Sequence, residues 1–316
     1  MNLRALILTA AILLSSHAAA AEHAPAGGSL EFVDLTDDFA KEWERTASME
    51  DAVRVATFKA YFDALMPGFY AHERLNHATP ERLDKRLLKA FQAYPEHRVG
   101  IEEVSGRFSD MITPALASFE AEFGPMRRYP PVYLVHSLGE FDGGTRSLLN
   151  GNFLLFGADV IARLHLDHDI QPFFHHELFH FYHARSFPEC GTVWCGLWTE
   201  GLAAYVASEL NPGATDAELL LTQPEPIRAA VDANRREAVC ETLARLDSTQ
   251  DADMQALFSF ERLNETLPPR FGYYVGYLVA AEAGKTRSLQ QLATLGHDEV
   301  RPLVEARLRG LETCPA

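Results

Sequence analysis

Phe173-Phe174-His175-His176-Glu177-Leu178-Phe179-His180-Phe181-Tyr182 is an apolar run carrying two imidazoles four residues apart, with a carboxylate between them. On a helix, residues i and i+4 lie about one turn apart on one face, so His176 and His180 can bind a single cation while Glu177 stands beside it. Asp167 and Asp169 offer caps just before the run and Pro172 suits a first turn, which predicts a helix over about 170–184. Beyond it, Trp198-Thr199-Glu200-Gly201-Leu202-Ala203-Ala204-Tyr205 reads as the first turns of a second helix, ended by Asn211-Pro212-Gly213.

These residue types in this order point to a catalytic Zn²⁺ site. Neutral imidazole nitrogens bind Zn²⁺ at about 2.0–2.1 Å, and a carboxylate oxygen completes three protein ligands while leaving a fourth position for water. His176, His180 and Glu200 are the expected ligands, and Glu177 is the expected general base and acid. The bland readings are a hydrogen-bonded core pair for the two histidines and, for Glu200, an acid favoured by a helix N-terminus. Other histidines crowd the same stretch. His175 and His183 point away from the ligand face and are expected beside the ligands or at the surface, while His165 and His168 precede the helix.

Working outward, Val132-Tyr133-Leu134-Val135 and the apolar run 152–161 read as two strands joined by a glycine-containing turn, Leu138 to Gly144. Gly139, Gly143 and Gly144 do not form a phosphate cradle, because no Lys-Ser or Lys-Thr pair follows them. Apolar residues recur at helical intervals over 37–65, 80–94 and 98–123, with Pro95 as a break, so the first hundred residues read as all-helical. After Asn211-Pro212-Gly213 the remainder, to about Leu311, is again mostly helical, with Pro268-Pro269 as a break. The expected fold class is therefore α+β, predominantly α, with a small sheet packed on the metal-binding helix. A helical N-terminal region, 22–125, precedes a catalytic region, 126–316.

Met1-Asn2-Leu3-Arg4 followed by an apolar run and a string of alanines reads as a signal peptide over 1–21, implying a periplasmic or secreted protein. Its removal would take Arg4 and no acid from a chain whose formal charge is already −16, which argues against nucleic acid as a partner. The next longest apolar stretch, 273–281, is far short of the roughly 20 residues that span a bilayer, so no membrane anchor is expected. An apolar content of 47% supplies a real core and excludes a disordered chain. Four cysteines in an exported chain favour disulfides, and Cys190 with Cys195 and Cys240 with Cys314 is the preferred of three pairings.

The arrangement resembles the gluzincin metallopeptidases, in which H-E-x-x-H on one helix is joined by a glutamate on a following helix. More narrowly, His175-His176-Glu177, Glu200-Gly201-Leu202-Ala203 and Gly272-Tyr273-Tyr274-Val275-Gly276-Tyr277 resemble an uncharacterised family of predicted zinc-dependent proteases. The resemblance covers about 132–281 and implies a zincin-like core, a peptide or protein substrate, and a tyrosine that hydrogen-bonds the developing oxyanion. Tyr273 is the first candidate for that tyrosine and Tyr277 the reserve. It also implies that 151–157 is the edge strand on which an extended substrate pairs. Aminopeptidase gluzincins carry G-x-M-E-N there, which this chain lacks, so an endopeptidase is favoured. Two rivals are a non-catalytic peptide-binding or chaperone-like protein on the same scaffold, and a hydrolase acting on a different amide, such as one in the cell wall.

Overall fold

A computed structural model describes residues 30–74 and 79–315; the signal peptide reading falls on residues outside these. The architecture is α+β and predominantly α. The chain begins with β1 (Phe32–Asp34), then α1 (Thr36–Arg45), α2 (Asp51–Leu65) and the long α3 (Pro80–Phe123). Three strands follow, β2 (Val132–Val135), β3 (Gly143–Leu148) and β4 (Gly151–Gly157). Next come α4 (Ala158–Leu164), α5 (Gln171–His183) and α6 (Val193–Leu210). The chain closes with α7 (Ile227–Ala233), α8 (Arg235–Ala244), α9 (Asp251–Phe258), α10 (Phe271–Gly284), α11 (Leu289–Ala293) and α12 (His297–Leu311).

The sheet order is β1-β2-β4-β3, with β1 and β4 both parallel to β2 and β3 antiparallel to β4. This corrects two expectations. The N-terminal region is not all-helical, because Phe32–Asp34 pairs with Val132–Leu134. Nor is 151–157 the edge strand: alternate pairing on both sides places it inside the sheet, and the edge is Gly143–Leu148. Gly143 and Gly144, which read as part of a turn, begin that edge strand, while Gly139 stays in the loop before it. Asp159 in the first turn of α4 accepts from the N–H groups of Ser137 and Gly139, at 2.7 Å each, and so fixes the loop that delivers the chain to β3.

Pro95 does not break α3, which runs unbroken for 44 residues with Pro95 and Pro114 inside it. A proline at 95 deprives the Phe91 carbonyl of its helical donor. The Trp43 indole N–H of α1 replaces it at 2.9 Å, so a tertiary contact repairs what the local sequence breaks. Thr79 caps the start of α3 by accepting from the Arg82 N–H, and Pro80 occupies the first turn, where its missing N–H costs nothing.

Helix α5 is the centre of the molecule, touching β3, β4, α3 and α6. Ten of its 13 residues are buried, so every polar group it carries needs a partner or a function. One hydrophobic cluster runs from Leu30 to Leu308, making the helical N-terminal region and the remainder continuous in the core. Two disulfides close the chain, Cys190–Cys195 joining the preceding loop to the first turn of α6 and Cys240–Cys314 joining α8 to the C-terminal segment, the preferred pairing. Such bonds belong to oxidising surroundings. No helix among the described residues is long and apolar enough to cross a membrane.

Candidate metal centre

His176 and His180 leave consecutive turns of α5, and their Nε2 atoms stand 2.9 Å apart. Glu200 enters from α6, its eighth residue and so deeper in the helix than its expected place in the first turns. Its Oε2 lies 3.5 Å from His176 Nε2 and 3.2 Å from His180 Nε2. Ligands held about 2.0–2.1 Å from a tetrahedral ion are ~3.3 Å apart, so the three sides of this triangle fit one ion bound to all three atoms. Glu200 Oε2 is buried and has no aligned hydrogen-bond donor, although two ring nitrogens are close. That is the geometry of lone pairs converging on a common point. These residues could hold a metal ion.

The electrostatics agree. Burial and the neighbouring His180 push His176 down, favouring the neutral imidazole that a metal needs. Burial works against ionised Glu200, but the adjacent histidines, His180 first, outweigh it and hold the carboxyl well below its usual range. Burial likewise opposes a charged His180, and Glu200 overcomes it, carrying that histidine up to about 9. Without an ion, one proton is thus trapped among the three groups.

Glu177 is 8% exposed and carries no hydrogen bond from any described residue. Burial raises it to about 7. The edge strand runs directly over it: a Cβ on Gly143 would stand 2.8 Å from Glu177 Cγ and 2.8 Å from Phe173 Cζ, so only glycine lets β3 pass this close to α5. The triad and Glu177 open into a cleft of about 1120 Å³ bounded by β3, α5, α6 and the start of α10.

Tyr273 lines this cleft, its ring parallel to that of His176 and 6.4 Å from it. Burial and then the charge of Glu200 raise its phenol, so it stays a proton donor at neutral pH. Tyr277 is elsewhere, packed against Tyr205 and Tyr274 with its hydroxyl 3.5 Å from Ser208 Oγ. His175 is a structural tie, bonded through Nε2 to the Ala115 carbonyl at 3.0 Å and to Ser118 at 2.8 Å, and through Nδ1 to Asn211 at 2.7 Å. It therefore pins α5 to α3 and to the end of α6. His183 is buried between the rings of Phe179 and Phe187 rather than at the surface. His165 holds Asp142 at 2.8 Å on the cleft wall, and His168 lines the cleft.

Two cleft elements escape sequence reasoning. The strand Gly143–Leu148 hides behind turn-like composition, and Arg270, beside Tyr273, belongs to no motif or periodicity. A second cluster, Cys190, Cys195 and His297, also has ligand-type atoms within 4.8 Å of one another, but its sulfurs are joined as a disulfide. No protein-family model, curated protein or solved structure matches the chain.

Proposed function

We propose that this chain is a zinc-dependent peptide hydrolase of gluzincin type, working in an oxidising compartment outside the cytoplasm. The observation that carries the reading is the convergence of His176, His180 and Glu200 at tetrahedral spacing, with the buried Glu200 oxygen lacking any aligned donor. A structural site would have no use for what stands beside it, an unbonded carboxylate facing a large cleft. That carboxylate favours catalysis over the non-catalytic peptide-binding alternative.

Bound zinc would polarise the scissile carbonyl and lower the pKa of an attacking water towards ~7. The chain's own groups supply the rest. Glu177, lifted by burial to about 7, takes the proton of the attacking water and passes it to the leaving amine. Tyr273 donates its phenolic proton towards the oxygen that gains negative charge. Strand β3 ends the sheet order and lines the cleft, offering a row of backbone groups on which an extended peptide pairs.

The test is digestion of unfolded casein by the purified protein, with and without a chelator, beside Glu177→Gln. Chelator-sensitive fragments are expected from the native protein. The variant should lose about 10²- to 10⁴-fold in rate while retaining its metal. Delayed casein aggregation without any cleavage would overturn the reading in favour of a peptide-binding protein.

A further inference from the structure

Arg270 sets the N-terminal boundary of α10 with φ 61, one of three non-glycine residues among those described with positive φ. That left-handed conformation costs an L-residue ~1 kcal/mol or more, and such strain persists where the surroundings hold it in place. The Arg270 guanidinium lies over the Tyr273 ring, with Cζ 4.3 Å from the centroid, and it edges the Phe260 ring at 5.9 Å. Its hydrogen bond to the Gln223 carbonyl is 3.2 Å long, and no acid among the described residues pairs with it. The other guanidiniums of the cleft differ. Arg146 stands 3.7 Å from Glu140 and over Phe141, and Arg163 is exposed on the rim. In a chain with 44 acidic residues, a half-buried arginine that lines the cleft and has no carboxylate partner among the described residues keeps donors of its planar fork beyond those facing the Gln223 carbonyl and the Tyr273 hydroxyl.

We infer that Arg270 is a specificity-determining residue that receives a carboxylate of the bound peptide. This inference rests on the peptide-hydrolase reading of the same site. From the guanidinium, a step of 4.3 Å reaches the Tyr273 ring and one of 6.4 Å continues to the His176 ring. An extended chain rises about 3.3 Å per residue, so the carboxylate belongs at most about three residues from the bond that is cut. The chemistry is a planar carboxylate gripped by a stacked guanidinium, and it is met either by a peptide C-terminus or by an Asp or Glu side chain. The first source makes the protein trim short C-terminal pieces, and the second makes it cut near acidic positions.

The experiment uses the full chain as the zinc-loaded Glu177→Gln protein, so that peptides bind without being cut. Three probes are titrated calorimetrically: acetyl-Ala-Ala-Phe-Leu-Ala as free acid, the same peptide as amide, and acetyl-Ala-Ala-Phe-Leu-Asp as amide. Each is repeated with Arg270→Asn, chosen because asparagine tolerates the left-handed conformation, and with Arg270→Lys, which keeps the charge and loses the fork. Thermal unfolding and metal content are recorded for each to confirm an intact site. A carboxylate-bearing peptide should bind about 10- to 100-fold tighter than its neutral counterpart. That preference should shrink to within about threefold in Arg270→Asn and stay intermediate in Arg270→Lys. Preference for the free acid assigns the C-terminus as the source, and preference for the Asp amide assigns the side chain. Equal binding of all three probes, or a preference that survives Arg270→Asn, would overturn this inference alone. Absence of zinc, or no binding by any probe, would overturn the hydrolase reading and this inference with it.

Discussion

Gly201 of α6 and Gly276 of α10 meet backbone to backbone: a Cβ on Gly201 would stand 2.1 Å from the Gly276 carbonyl carbon, and one on Gly276 would stand 2.3 Å from the Leu197 carbonyl oxygen. The contact sets the crossing of the two helices. Glu200 precedes Gly201, and Tyr273 lies three residues before Gly276, so one close approach registers a candidate ligand and the candidate oxyanion donor on the same cavity. Gly201→Ala cannot be relieved by a side-chain shift, because the clash is with main chain. It should cost at least ~3 kcal/mol in chemical denaturation. Gly106→Ala in α3, where nothing lies within 4 Å, should be neutral or stabilise by ~0.5–1 kcal/mol. Equal stabilities for the two variants would refute this account of the crossing.

Trp43→Phe keeps the aromatic packing on Tyr94 but removes the donor that satisfies the Phe91 carbonyl opposite Pro95. The expected loss is ~1–3 kcal/mol, the cost of an unpaired buried acceptor. Pairing the substitution with Pro95→Ala restores the helical donor, so the double variant should recover part of that loss in a double-mutant cycle.

Metal uptake should depend on pH with a definite sign. The histidine raised to about 9 by Glu200 is protonated below that pH in the metal-free protein, and the ion must displace that proton. Affinity should therefore rise about tenfold per pH unit between roughly 7 and 9 and level off above, with one proton released per ion at pH 7. Calorimetry in buffers of different ionisation enthalpy reads the proton count directly. Proton-neutral binding at pH 7 would contradict the trapped-proton description of the triad.

The legible parts of this chain were those whose physics is local. The four-residue spacing of His176 and His180, Pro172 in the first turn of α5 and Asn211 at the end of α6 act within a few residues of themselves, and each is found where expected. The preferred cysteine pairing also stands. What was misread depends on partners far along the chain. Pro95 stops a helix unless an indole 48 residues upstream of Phe91 fills that residue's vacant carbonyl, and no local pattern announces Trp43 in that role. Phe32–Asp34 is too short to show alternation and becomes a strand only because Val132–Leu134 pairs with it. Gly143 looks like a turn residue because the feature that requires glycine is the passage of β3 over Glu177, a tertiary contact. Arg270 carries no signal at all, since an arginine is identified as unpaired only once its surroundings are known.

The most direct test of the central claim is elemental analysis of the purified native protein beside His180→Ala and Glu200→Ala, each checked for folding by thermal unfolding. One zinc per chain in the native protein, and a small fraction of that in both variants, is the predicted result. Equal zinc content in all three proteins, or none in the native protein after exposure to excess zinc at pH 8, would contradict it.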